Sequence, residues 1–227
     1  MTQPSRRFEV KIPIPLNRLH TVQAWLNSHA LGFEKCYPDR FVNSLYLDDA
    51  HLERYEENLS GISFRKKVRI RWYDDLADVH NAKLEFKLRE AGKGYKVTFG
   101  LDFDFNKNRA QWPSILRYAY RSLPHRGQIL WGNEQMPVLI CRYQRQYFES
   151  TCRRIRATFD QDMHVYDQRY HAKLNLHKQA SLGAYVLLEL KTDEQYEPDL
   201  AALIATCPLR PSRHSKYVNG IRMLTWY

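Results

Sequence analysis

Between Ser63 and Tyr73 the chain runs Ser-Phe-Arg-Lys-Lys-Val-Arg-Ile-Arg-Trp-Tyr. β-Branched and aromatic residues at this density favour a strand. On a strand, Arg65, Lys67, Arg69 and Arg71 project to one side. Phe64, Val68, Ile70 and Trp72 project to the other, with Lys66 the exception. Four cations on one face of a sheet repel one another unless water or a polyanion answers them. A fold for this chain must therefore settle which side of that strand is inside.

The same alternation recurs. In Phe8–Ile14, Phe8, Val10 and Ile12 oppose Glu9 and Lys11, and Pro13 and Pro15 are expected to end the strand. In Lys83–Glu90, Leu84, Phe86 and Leu88 oppose Lys83, Glu85, Lys87 and Arg89. Tyr143, Arg145 and Tyr147 share a face of Val138–Glu149. Arg154, Arg156, Thr158 and Asp160 oppose Ile155, Ala157 and Phe159. In Ala184–Asp193, Glu189, Lys191 and Asp193 oppose Leu188 and Leu190. Arg40–Asp48 and Tyr95–Phe99 are further strands. Ala91–Gly94 reads as a hairpin turn, since the Walker spacing of a phosphate loop is absent. Gln161–Gly183 shows no clear period; a short strand near Val165 and a loop are expected there.

Helical spacing appears in Leu16–Ala30, with Asn17 as candidate N-cap, and in Trp112–Leu123 and Pro198–Cys207. His51–Leu59 reads as a short polar helix stopped at Gly61. After Ser212 a last helix is expected to bury Val218, Ile221 and Leu224.

These amphipathic helices need apolar surface to cover. From one strand alone, a solvated charged face with cross-strand ion pairs is the simpler account. With several helices to place, the apolar strand faces are expected outward and the charged faces toward one another. The predicted fold is α+β: a closed antiparallel β-barrel, or tunnel, with a charged lumen and helices packed outside. No linker or repeat interrupts the series, so residues 1–227 are expected to form one domain. A hydrophobic content of 44% supports a core of that size.

On the inferred inner faces, Lys11, Arg69, Arg71, Lys87, Arg145, Arg156 and Lys191 outnumber Glu9, Glu85, Asp160 and Glu189. The net charge of +10 points the same way, to anionic partners. A surplus of buried cations is costly without an anion. Several Arg forks suit a short phosphate chain, and the carboxylates suit a divalent cation shared with phosphate oxygens. Cys36, Cys141, Cys152 and Cys207 are scattered, with no zinc or disulfide spacing. No signal peptide or membrane-spanning run is visible, so a cytoplasmic location is expected.

The order of motifs resembles the VTC domain, the polyphosphate polymerase domain of the vacuolar transporter chaperone complex. That family lies within the triphosphate tunnel metalloenzymes. The carriers are Phe8-Glu9-Val10-Lys11, Asn43 to Asp48, Arg65 to Tyr73, Leu84-Glu85-Phe86-Lys87 and Arg142-Tyr143-Gln144-Arg145. Arg156 to Asp160, Leu188-Glu189-Leu190-Lys191 and Ser215 to Gly220 complete the set. The resemblance covers about Arg7 to Leu224. It implies that Lys11, Arg69, Arg71, Lys87, Arg145 and Arg156 grip phosphates, with Tyr143 hydrogen-bonding them. Arg69, Arg71, Lys87, Arg145 and Arg156 are the expected catalytic set. Lys96, Lys191, Ser215 and Lys216 are further expected phosphate ligands. Glu189 would hold the metal, Mn²⁺ or Mg²⁺, with Glu9 and Glu85 as additional candidates. Arg7 stands where the triphosphatase branch usually begins its acidic motif, which favours the VTC-like branch. Arg213 and His214 stand where polymerase members often carry a lysine and an aromatic.

The implied activity is metal-dependent transfer of the γ-phosphate of ATP to inorganic polyphosphate. The alternatives are hydrolysis of triphosphate or of nucleotide triphosphates, or polyphosphate binding without turnover. Nucleic acid is not expected as a partner, because the cations face one concave surface and no nucleic-acid motif is present. A membrane-protein partner and the oligomeric state stay open. Tyr46 and Asp48 are candidates either to touch the lumen or to pack.

Overall fold

The computed structural model describes residues 6–90, 92–102, 111–133 and 136–225. The strands are β1 (Arg7–Pro15), β2 (Phe33–Asp48), β3 (Arg65–Tyr73), β4 (Lys83–Glu90) and β5 (Lys93–Gly100). They continue as β6 (Met136–Ser150), β7 (Ile155–Asp167), the short β8 (Gln179–Ser181) and β9 (Tyr185–Asp193). Going round, the order is β6-β2-β3-β4-β5-β1-β9-β7, and β7 pairs with β6 to close an eight-stranded antiparallel barrel. β8 extends the sheet beside β7. The helices are α1 (Leu19–Ser28), α2 (Glu53–Ser60), α3 (Trp112–Ser122), α4 (His125–Trp131), α5 (Glu197–Ala205) and α6 (Lys216–Thr225). The class is α+β.

The apolar strand faces turn outward, toward helices. Val68, Ile70 and Trp72 of β3 and Leu84, Phe86 and Leu88 of β4 pack with Trp112, Ile115 and Leu116 of α3 and Trp131 of α4. On the other side, Ile12 and Ile14 of β1, Phe159 of β7 and Leu188 and Leu190 of β9 pack with α1 and α5 through Val22, Leu26, Leu200 and Leu203. Each such buried side chain contributes about 1.5–3 kcal/mol.

A third cluster lies on the opposite phase. Tyr46 stands across from Arg69 on one side and Leu139 on the other, so these three share the inward face. Tyr46, Leu139, Cys141, Tyr143, Val165 and Leu187 pack with Tyr217, Ile221 and Leu224 of α6. Helix α6 thus fills the apolar end of the barrel interior. Gly220 permits the approach: a Cβ there would stand 2.9 Å from Val165 Cγ1 and 3.0 Å from Leu139 Cδ2.

Several local expectations change. β1 runs through Pro13 to Pro15 instead of ending there. The carbonyl of Lys11 turns to Ser212 N, away from β9, so Pro13 and Pro15, in the same phase, lack a donor only on that edge. Asn17 is no N-cap: Leu16–Arg18 forms a 3-10 turn before α1. β7 continues to Asp167 past a register shift between Arg142 and Gln144. α4 was not anticipated; Lys66 Nζ donates to the Leu130 carbonyl at its C-terminal end, 3.0 Å away. That contact accounts for the one cation on the apolar phase of β3. Of the expected turn, Ala91 lies outside the described residues.

Candidate functional site

The polar part of the barrel interior is a cavity of about 60 Å³. β3 supplies Lys67, Arg69 and Arg71; β1, β2 and β4 supply Lys11, Tyr46 and Lys87. β6 gives Tyr143 and Arg145, β9 gives Glu189 and Lys191, and Ser215 and Lys216 come from the start of α6. Strand register brings them together. Arg69 lies across from Glu85 on β4, Lys11 from Glu189, and Arg145 from Asp160 on β7.

The central cations other than Lys67 are tied to four carboxylates. Arg69 Nε donates to Glu85 Oε2 at 2.7 Å, and Lys96 Nζ reaches Glu85 Oε1 at 2.6 Å. Arg71 donates to Ser44 Oγ and to the Tyr143 hydroxyl, each at 3.3 Å. Lys87 and Lys11 hold Glu9 at 2.8 and 3.1 Å. Arg145 grips Asp160 through Nε and Nη2, and Nη2 also reaches Glu189 Oε2 at 3.0 Å. Lys216 Nζ bridges Asp160 and Glu189 Oε1, the latter at 3.1 Å, and Lys191 Nζ lies 2.8 Å from Glu189 Oε2.

Protonation follows from this pairing. Burial alone would raise the Glu9 carboxyl, but Lys87, Lys11 and Lys191 hold it well below the usual range. Glu189 is likewise held low against burial by Lys191, Lys216 and Arg145. Arg69 and Arg71 do this for Glu85, and Arg145 and Lys216 for Asp160. Burial outweighs Glu9 at Lys87, whose ammonium falls to about 8. Burial, with Lys11 and Lys87 nearby, depresses Lys67 well below its ordinary value. Lys67 Nζ donates to Ser215 Oγ at 2.9 Å, and among the described residues no carboxylate pairs with it. Burial lifts the Tyr143 hydroxyl to about 12, so it remains a protonated donor. Burial, then Lys216 and Lys11, drops His214 to about 3, and its Nε2 lies 2.6 Å from the Tyr185 hydroxyl.

Two larger cavities adjoin the centre. The first mouth, about 400 Å³, lies among Arg7, Glu9, Lys191 and the β4–β5 hairpin residues Arg89, Tyr95 and Lys96. It shares Arg69, Arg71 and Lys87 with the centre. The second mouth, about 590 Å³, opens between Arg65, Arg89, the end of α2 and the segment 211–215. It shares Lys11, Lys67, Lys87 and Ser215 with the centre. β1 and β5 meet in one register pair, Arg7 opposite Gly94.

Ten of the sequence-predicted residues line the central cavity: Lys11, Arg69, Arg71, Lys87, Tyr143, Arg145, Glu189, Lys191, Ser215 and Lys216. Lys96 sits at the first mouth with its side chain 46% exposed. Arg156 does not join them. It has the inward phase but sits near the β7 terminus, its side chain 61% exposed and its Nε paired with Glu149 at 3.0 Å. Alternation with Arg69 and position near the start of β3 place Lys67, with Arg65, toward a tunnel mouth; it lines the second mouth and also reaches the central cavity. Sequence reasoning placed Asp160 on the inner face but gave it no role. Tyr46 reaches the cavity; Asp48 instead accepts from the backbone N–H groups of Asp49, Arg54 and Tyr55, capping α2.

The expected trio Glu9, Glu85 and Glu189 does not form one cluster. Each is answered by lysines or arginines, Lys11 serving both Glu9 and Glu189, and among the described residues no group of three His, Cys, Asp or Glu side chains could hold a metal. Glu189 is the carboxylate lining the central cavity. One carboxylate completed by phosphate oxygens and water is an ordinary arrangement for a hard divalent cation, so the donor set fits a metal that arrives with phosphate.

A described candidate adenylate cyclase of Vibrio parahaemolyticus has a similar fold, with TM-score 0.53 at 10% identity, covering 96% of this chain and 98% of that one. A Pyrococcus horikoshii protein aligns with TM-score 0.49 at 11% identity, covering 93% and 96%. No curated protein sequence matches. No helix among the described residues is long and apolar enough to cross a membrane. The model of the VTC domain matches residues 6–225, and the chain therefore belongs to the VTC-domain family.

Proposed function

We propose that this chain is a polyphosphate polymerase-like phosphotransferase, moving the γ-phosphate of ATP to the end of a polyphosphate chain. The observation that carries this reading is the convergence of Lys11, Lys67, Arg69, Arg71, Lys87, Arg145, Lys191 and Lys216 on one narrow cavity that opens into two wider ones. Their charge exceeds that of the carboxylates among them, and a triphosphate or longer chain is the ligand shape such a passage accepts. Family membership supports the same reading.

In the transfer, a terminal phosphate oxygen of the chain attacks the γ-phosphorus. The bond from that phosphorus to the β-phosphate oxygen breaks, and ADP leaves with the electron pair. The attacking oxygen is already anionic, so no strong general base is needed. Arg69, Arg71, Lys87 and Arg145 would neutralise charge on the transferred group, and Tyr143 would donate a hydrogen bond. Lys11, Lys191, Ser215 and Lys216 would hold flanking phosphates, with Lys96 at the first mouth. Glu189 would hold Mn²⁺ or Mg²⁺ together with phosphate oxygens, and the ion would supply further neutralisation of phosphate charge.

The test is chain growth. Purified protein given ATP, Mn²⁺ and a short polyphosphate primer should yield longer chains on gels, with one ADP per added unit. Arg69→Ala should lower the rate by at least ~10²-fold. Orthophosphate release without growth would replace this reading by hydrolysis, and tight anion binding without turnover would replace it by a binding role.

A further inference from the structure

The cations of the second mouth differ from those of the centre. Arg65, Arg89 and Arg213 line it, and among the described residues none has a carboxylate partner. Glu9 is the carboxylate on this lining, and Lys87 and Lys11 already hold it. Burial and then the charges of Arg89 and Arg213 lower the Arg65 guanidinium, so the three feel one another. Arg213 lies across Gly61, where φ is +75° and an added Cβ would stand 2.5 Å from Arg213 Nη2. Lys67, also without a carboxylate, stands where this mouth meets the central cavity.

We infer that Arg65, Arg89 and Arg213, relayed by Lys67, form a subsite for the distal phosphates of a condensed phosphate chain whose end lies in the centre. The inference rests on the proposed transfer reading for what occupies the centre. Planar guanidinium forks grip phosphate oxygens two at a time, and uncompensated ones need not first release a carboxylate. The passage behind them, about 60 Å³, suits a bare phosphate chain and excludes a nucleobase or a folded acidic peptide. Binding should therefore strengthen once a chain outgrows the centre.

The experiment compares inorganic triphosphate with a long inorganic polyphosphate, without ATP, at fixed ionic strength. The full chain and its R65A/R89A/R213A variant are titrated with both ligands. The ratio of the two Kd values should fall by at least ~10-fold in the variant, as expected for losing several charge-assisted contacts to the longer ligand only. The slope of long-chain affinity against salt should fall with it. Thermal melting checks folding; these arginines are exposed or half-buried, and R65K/R89K/R213K, which keeps the charge, should give an intermediate ratio. An unchanged ratio, or equal losses for both ligands, overturns the subsite. Chain extension on the same preparations separates the two claims. A length preference lost in the variant, without ATP use by the wild type, keeps the subsite and sinks the transfer. Transfer with an unchanged ratio does the reverse.

Discussion

At the centre of the barrel, Arg145 holds Asp160 with two arms of its guanidinium and Glu189 with one of them. At the second mouth, Arg65 faces Arg89 and Arg213 with no acid to answer it. The sign of charge is the same and the solution differs with depth. A buried cation is costly in the free protein, because desolvation costs several kcal/mol per ion, and at the centre every cation but Lys67 has a carboxylate beside it. A half-exposed one can leave that task to water. The carboxylates of the centre thus let a cation-rich interior fold without an added anion.

Removing one partner at each place probes the contrast. The largest effect is expected for Arg145→Ala, which leaves Asp160 and Glu189 to Lys216 and Lys191. Loss of about 3–5 kcal/mol in urea unfolding is expected. Arg145→Met combined with Asp160→Leu should cost less than the single change, since no buried charge is then stranded. A single-variant loss under ~1 kcal/mol would break the comparison.

Acid is the next lever. Glu9, Glu85, Asp160 and Glu189 all titrate lower in the folded chain than unfolded. Their contribution is therefore fully present above the unfolded values, about pH 4–4.5, and is lost as pH falls through the folded ones. Between pH 5 and 8 these groups add no slope; below about pH 4 the urea midpoint should drop steeply. A midpoint that stays level to pH 2 would show that the central carboxylates are not compensated as described.

The smallest effect is expected at the mouth. Arg89→Ala should change stability by no more than ~0.5 kcal/mol, and toward greater stability, because it relieves repulsion. A clear loss would mean that Arg89 has a partner in solution.

Much of this was legible along the chain because alternation reports which face a residue takes. Val68, Ile70 and Trp72 pack on α3 and α4, while Lys67, Arg69 and Arg71 turn inward. Alternation says nothing about depth. Arg156 and Lys67 both have the inward phase, yet Arg156 ends near solvent beside Glu149 and Lys67 ends at the centre. Depth is set by strand stagger, which depends on partners far away in sequence. The strand expected near Val165 is the continuation of β7, and its continuity with 155–160 was hidden for another reason. The register shift opposite Arg142 and Gln144 breaks the period, and Asp162 has φ of +53°. α4 is seven residues long and contains Gly127, too short for a helical period to declare itself. The ion-pair assignments lie beyond any single-sequence pattern, since Glu85 could equally have met Lys83 or Arg89.

β1 pairs with β9 from Arg7 opposite Asp193 to Pro15 opposite Tyr185, its one extended ladder. β1 therefore waits for a strand made long after it. Meanwhile β2 to β5 and the β6–β7 hairpin can assemble from neighbours in sequence. Until residue 193 leaves the ribosome, Lys11 and Glu9 have no Glu189 and Lys191 opposite them, and β1 is an edge without a partner. Closure of the ring thus cannot precede β9, and the cation-lined cavity is complete only once Ser215 and Lys216 follow it.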